Sequence, residues 1–115
     1  MSQTFSKQER IFKKKEIQEL FSKGSSFYLY PFSVKLTQTT LSNQNAVLIS
    51  VSKRLYKRAV DRNLIKRRIK EAYRLNKFTL EKSSFRIAFI YTSKKQHDFS
   101  FIEEKMIKIL QKINA

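Results

Sequence analysis

Apolar side chains recur along the chain with two different periods, and the period separates helix from strand. From about Lys13 to Lys23, Ile17, Leu20 and Phe21 fall on one helical face, and Gly24 stands where a left-handed residue after the last turn is expected. This predicts a short first helix. Before it, residues 1 to 12 read as extended, although Ser6-Lys7-Gln8-Glu9 has capping-box spacing and would let the helix begin early. Between Phe27 and Thr40 the pattern alternates, with Phe32, Val34 and Leu36 on one side and Ser33, Lys35 and Thr37 on the other, and Pro31 suggests an edge or a break. Ser42-Asn43-Gln44-Asn45 reads as a turn, after which Ala46 to Ser52, rich in Val and Ile, pairs back as a more buried strand. Phe85 to Thr92 is apolar nearly throughout, as expected of a strand covered on both faces.

Two further helices complete the pattern. Near the C-terminus Ile102, Met106, Ile109, Leu110 and Ile113 repeat at helical spacing, with Lys105, Lys108 and Lys112 opposite, which predicts a helix packed on the sheet. The other helix runs from about Arg58 to Asn76. Its Ile65, Ile69 and Ala72 cluster on one side, flanked by Tyr73, Leu64 and Leu75, and are expected to face the core. Asn63, Lys66, Arg67, Lys70 and Arg74 fall on the opposite arc, with Arg62 and Arg68 beside it. The order of elements is α-β-β-β-α-β-α, an α+β fold in one domain over residues 1–115, with a small mixed sheet of about four strands.

Composition sharpens this picture. The chain has 115 residues, and 41% hydrophobic content with ten Phe and five Tyr suffices for a modest core, so the charge is mounted on a fold. That charge is large: 25 Lys and Arg against nine acids give +16, a self-repulsion that a polyanion relieves. It is also concentrated, with eleven cations and only Asp61 and Glu71 as acids between Lys53 and Lys77. Solvated helix faces usually mix signs, whereas aligned like charges repel by about 0.2–0.5 kcal/mol per i,i+4 pair. Nucleic acid is the obvious partner, and an anionic membrane surface is its rival. Glu71, four residues after Arg67 and three after Arg68, is expected to hold one of those guanidinium groups in place.

Several chemistries are excluded. Without cysteine there are no disulfides and no thiolate metal sites. His97, the single histidine, sits beside Asp98 and has no second His or Cys to complete a zinc site, so it is read as a loop residue. Gly24 is the only glycine, which rules out a Gly-rich phosphate loop, and no serine stands in a nucleophile motif. Neither a signal-peptide pattern nor an apolar run of about 18 residues is present, so a cytoplasmic location is expected.

At the basic helix the residues carry more than charge. Ala59-Val60-Asp61-Arg62-Asn63-Leu64-Ile65-Lys66-Arg67-Arg68-Ile69-Lys70-Glu71 resembles the arginine-rich RNR motif of the bacterial ribonuclease P protein subunit. Ser50-Val51-Ser52-Lys53-Arg54 is similar to the strand preceding that motif, and Arg10-Ile11 with the stretch from Lys13 to Gly24 resembles the family's N-terminal helix, so the likeness covers about residues 5 to 92. The resemblance implies an endoribonuclease that works as an RNA–protein holoenzyme and cuts the 5′ leader from precursor tRNA. Catalytic RNA and its Mg2+ ions would perform the hydrolysis, while the protein binds no cofactor of its own. The implied partners are ribonuclease P catalytic RNA and precursor tRNA, with no membrane and no DNA.

By the same resemblance, Lys53, Arg54, Arg58, Arg62, Asn63, Lys66, Arg67, Arg68, Lys70 and Arg74 would bind RNA. A cleft between the first helix and the sheet would hold the single-stranded leader, drawing on Ile17, Phe21, Phe32 and Lys35. Ile17 and Lys35 replace residues that are often Phe and Tyr in the family, and Lys70 stands where Arg is usual, keeping the charge without the bidentate fork. Phe21 and Phe32 either support leader bases or belong to the core. The family fold also implies a left-handed crossover between the strands flanking the motif helix, opposite to the general handedness rule. Two rival readings remain. A ribosomal or other RNA-scaffold protein shares the charge but gives no reason for the ordered 59–71 motif, and a major-groove DNA-binding module lacks a preceding helix joined by a short turn.

Overall fold

The computed structural model describes residues 18, 20–22, 24–38, 45–80 and 85–114. The extended stretch 1–12 with its capping-box residues, Ile17, and turn residues 42–44 lie outside the described residues. Gln18 and Leu20 to Ser22 are helical. They are followed by strands β1 (Ser25–Leu29), β2 (Phe32–Gln38) and β3 (Ala46–Val51) and helix α1 (Ala59–Asn76). A 3-10 turn (Lys77–Thr79), strand β4 (Phe85–Tyr91) and helix α2 (Phe99–Asn114) complete the chain.

The sheet order is β1-β2-β4-β3. β2 pairs antiparallel with both β1 and β4, while β3 pairs parallel with β4. Parallel partners cannot be joined by a tight turn, and α1 makes the crossover. The alternating segment from Phe27 onward is divided at the Tyr30-Pro31 turn, whose peptide bond is cis.

Register decides what each sheet face carries. Phe27, Val34, Phe89 and Ile49 line up across the four strands on one face. Against it pack Ile65, Ile69, Ala72 and Tyr73 of α1 and Ile102, Met106, Ile109 and Leu110 of α2 in a single core. Fully burying an Ile or Leu side chain contributes about 1.5–3 kcal/mol, so the i, i+4, i+7, i+8 spacing of each helix is what holds it down. On the other face Leu20 packs with Ala46, Ala88 and Leu48, where two alanines leave room for the N-terminal helical residues. β4 is thereby covered on both sides, as its continuous apolar run requires.

The helix ends differ. Asp98 Oδ1 accepts the Phe101 N–H at 2.9 Å and caps α2. α1 begins at Arg58 with no side-chain cap, and Asp61 in its first turn supplies the negative charge that the positive end of a helix favours. Gly24 does not take the left-handed conformation expected of it, since no glycine has positive φ. Its N–H donates to the Leu20 carbonyl at 3.1 Å, and a Cβ there would lie 2.4 Å from Leu20 O and 2.9 Å from Leu36 O. Glycine is required by the close approach of two backbones.

Candidate nucleic-acid interface

The segment entering α1 is pinned from beneath and above. Tyr56 is buried, and its hydroxyl donates to the Ser93 carbonyl at 2.8 Å, while burial pushes its pKa up to about 12. The Tyr56 N–H donates to the Ser52 carbonyl at 3.0 Å and the Arg54 N–H to Ser52 Oγ at 3.0 Å. From the helix, Arg62 Nη1 reaches back to the carbonyls of Tyr56 at 2.8 Å and Lys57 at 2.9 Å. With its backbone tied in this way, the segment leaves Lys53, Arg54, Lys57 and Arg58 exposed.

Along α1 the cations divide into two kinds. Asn63, Arg67 and Lys70 are exposed and Lys66 is half-buried, all on the arc away from Ile65 and Ile69. Arg68 instead turns into the protein, and its Nη1 donates to the His97 carbonyl at 2.8 Å. Arg74 pairs with Glu71, its Nε lying 3.1 Å from Oε2 and its Nη2 against Oε1. This corrects the expectation that Glu71 would hold Arg67 or Arg68: the carboxylate takes the arginine one turn ahead, because Arg68 already has a carbonyl partner. The Arg74 hydrogen bonds hold the Glu71 carboxyl below the usual carboxylate range.

Of the cleft residues, Phe21 and Lys35 come together and Phe32 does not join them. Phe21 is 43% exposed, with the Lys35 ammonium 5.5 Å from its ring centroid. Phe32 is 0% exposed and meets Phe89 and Tyr91 edge-on, at centroid distances of 6.2 and 5.8 Å. It is core, and the reason is parity: side chains alternate across a strand, so Phe32 and Lys35, three residues apart on β2, project to opposite faces. Ile17 lies outside the described residues.

His97 lies in the loop before α2, as expected, yet it is buried there. Its Nε2 is 3.0 Å from the Tyr30 hydroxyl, and its ring stacks on Phe101 with centroids 4.0 Å apart. Burial lowers its pKa, Lys95 and Lys105 add to the effect and Asp98 opposes it, so the ring is neutral near pH 7. The sequence does not single out Tyr56, since an aromatic residue within a basic stretch gives little sign of which distant carbonyl it finds. Among the described residues, no three His, Cys, Asp or Glu side chains gather into a metal-binding group, and no helix is long and apolar enough to cross a membrane.

A sheet backed by two helices on one face, with a pinned loop and a helix displaying cations outward, defines a small α+β protein suited to holding a polyanion. Comparison with known proteins narrows the class. The Ribonuclease P family model matches residues 5–114, so the likeness extends through α2, beyond the stretch to about residue 92. The ribonuclease P protein component of Porphyromonas gingivalis is 38% identical over 116 residues, covering 94% of this chain and 85% of that protein. That of Petrotoga mobilis is 34% identical over 119 residues, covering 98% of each. The solved structure of the Staphylococcus aureus RNase P protein superposes with a TM-score of 0.78 at 29% identity, covering 91% of this chain and 94% of that one. The chain belongs to the ribonuclease P protein family.

Proposed function

We propose that the chain is the RNA-binding subunit of a cytoplasmic ribonuclease P holoenzyme, residues 1–115 acting as one RNA-binding domain that promotes 5′-end maturation of precursor tRNA. The observation carrying this reading is the grouping of exposed Asn63, Arg67 and Lys70 with half-buried Lys66 on one arc of α1, beside the exposed Lys53, Arg54, Lys57 and Arg58. Cations displayed in this way meet phosphates of folded RNA. Arg62, Arg68 and Arg74 support that surface from within, each already bonded to the protein. On the other sheet face, Phe21 and Lys35 are available to the single-stranded leader.

Hydrolysis in this reading belongs to the partner RNA and the Mg2+ it holds. The described residues offer no carboxylate cluster for a divalent cation, and the one imidazole is buried between Tyr30 and Phe101. The protein's part is to bring catalytic RNA and substrate together and reduce the repulsion between them. The test is precursor tRNA cleavage at low Mg2+ with catalytic RNA alone, protein alone, and both. Cleavage restored only by the combination is expected. Cleavage by the protein alone, or no gain on adding it, would refute the proposal.

A further inference from the structure

The sheet face opposite the helices carries a ring that neither the core nor the basic helix uses. Tyr28, in β1, is 57% exposed, and its hydroxyl lies 3.1 Å from Thr92 Oγ1. Thr92 directly follows β4, and β2 lies between β1 and β4 in the sheet. The side chain therefore bridges about two strand spacings, roughly 10 Å, and it spans that distance only by lying along the sheet. Its register partner on β2 is Ser33, whose short side chain leaves space for a ring above it. The far end of the tether is itself fixed: the Thr92 N–H and hydroxyl both donate to the Pro31 carbonyl, at 2.8 and 3.0 Å. With its hydroxyl tethered and more than half of the residue exposed, the ring is held in place and open to solvent.

Lys35 stands two residues further along β2 on the same face, with its ammonium over the exposed ring of Phe21. One accessible ring thus lies against the cation and a second, Tyr28, shares its sheet face one strand over, with Ser26 opposite Lys35 and Ser33 opposite Tyr28. An unpaired nucleotide presents the matching chemistry, a π-face for a ring and a phosphate for an ammonium. A protein partner's apolar patch would instead meet serines and a charge.

We propose that Tyr28 is a stacking platform for one unpaired nucleobase of the bound RNA, with Lys35 meeting the adjoining phosphate. The proposal rests on the reading that this face receives the single-stranded leader. It adds a specificity-determining residue that shares a sheet face with Lys35.

The test uses the full chain reconstituted with ribonuclease P RNA and precursor tRNAs in which one leader nucleotide is made abasic, position by position. In the unsubstituted protein, removal of one particular base should weaken binding by about 5- to 150-fold, the range for a single base–aromatic stack. Tyr28→Ala should weaken the intact leader similarly and become indifferent to that position, whereas Tyr28→Phe, which keeps the ring, should recover the sensitivity. Cross-linking of 4-thiouridine at that leader position to Tyr28 in the unsubstituted chain reads the same contact without any variant. A Tyr28→Ala scan identical to that of the unsubstituted protein overturns the stacking assignment, and leaves the cleft standing if Phe21→Ala and Lys35→Ala still weaken leader-bearing substrate. Equal binding of precursor and mature tRNA by the unsubstituted holoenzyme would overturn the cleft and Tyr28 together.

Discussion

Replacing Arg67 and Arg68 one at a time by alanine separates an outward cation from an inward one at adjacent positions. Arg67 is exposed, so its loss should change stability by less than about 0.5 kcal/mol. If it meets a phosphate, the slope of log affinity against log salt should fall by about 0.7–0.9, equivalent to about a sixfold loss of affinity at 0.1 M relative to 1 M salt. Arg68 donates to the His97 carbonyl, itself part of a buried loop residue. A buried hydrogen bond from a charged donor is worth about 1.5–3 kcal/mol. Partial exposure of Arg68 reduces this to about 1–1.5 kcal/mol, a fall of about 4–6 °C in the unfolding midpoint for a domain of this size. Thermal unfolding of each variant, with salt titrations of catalytic-RNA binding, measures both quantities. A reversed pattern, with Arg68→Ala unfolding normally but losing salt slope, would refute the division of the helix into outward and inward cations.

Other outcomes follow from the same geometry. Gly24→Ala should destabilise the fold by about 1–3 kcal/mol, because the new methyl meets two backbone oxygens that cannot move aside, and denaturant unfolding would register it. Tyr56 ionises near pH 10 when unfolded but only at about 12 when folded. The unfolded state therefore binds fewer protons between those values, and stability should drop as pH rises from 10 to 12. Tyr56→Phe should be less stable at pH 8, having lost the bond to Ser93, yet show a shallower alkaline decline, measured by chemical denaturation at successive pH values.

Much of the candidate surface was legible because helical periodicity is a local property. The 100° step placed Ile65, Ile69, Ala72 and Tyr73 inward, and all four are buried in α1. The same rule, applied to strands as a two-residue alternation, already separates Phe32 from Lys35, and only the family resemblance joins them in one cleft. Gly24 fits a helix terminator by type, yet a side chain there is barred by the Leu20 carbonyl and by the Leu36 carbonyl of β2, and the second of these is announced by no neighbouring residue.

Residue order by itself determined the sequence of elements, the inward stripe of each helix and the concentration of charge between Lys53 and Lys77, since each depends on spacing within a few residues. Tertiary structure decided the use of each cation. A long guanidinium side chain takes the nearest unsatisfied oxygen in space, and for Arg68 that oxygen belongs to His97, 29 residues away. It also decided which residues share a sheet face with Lys35, because strand register, and not distance along the chain, brings Tyr28, Ser33 and Thr92 together there.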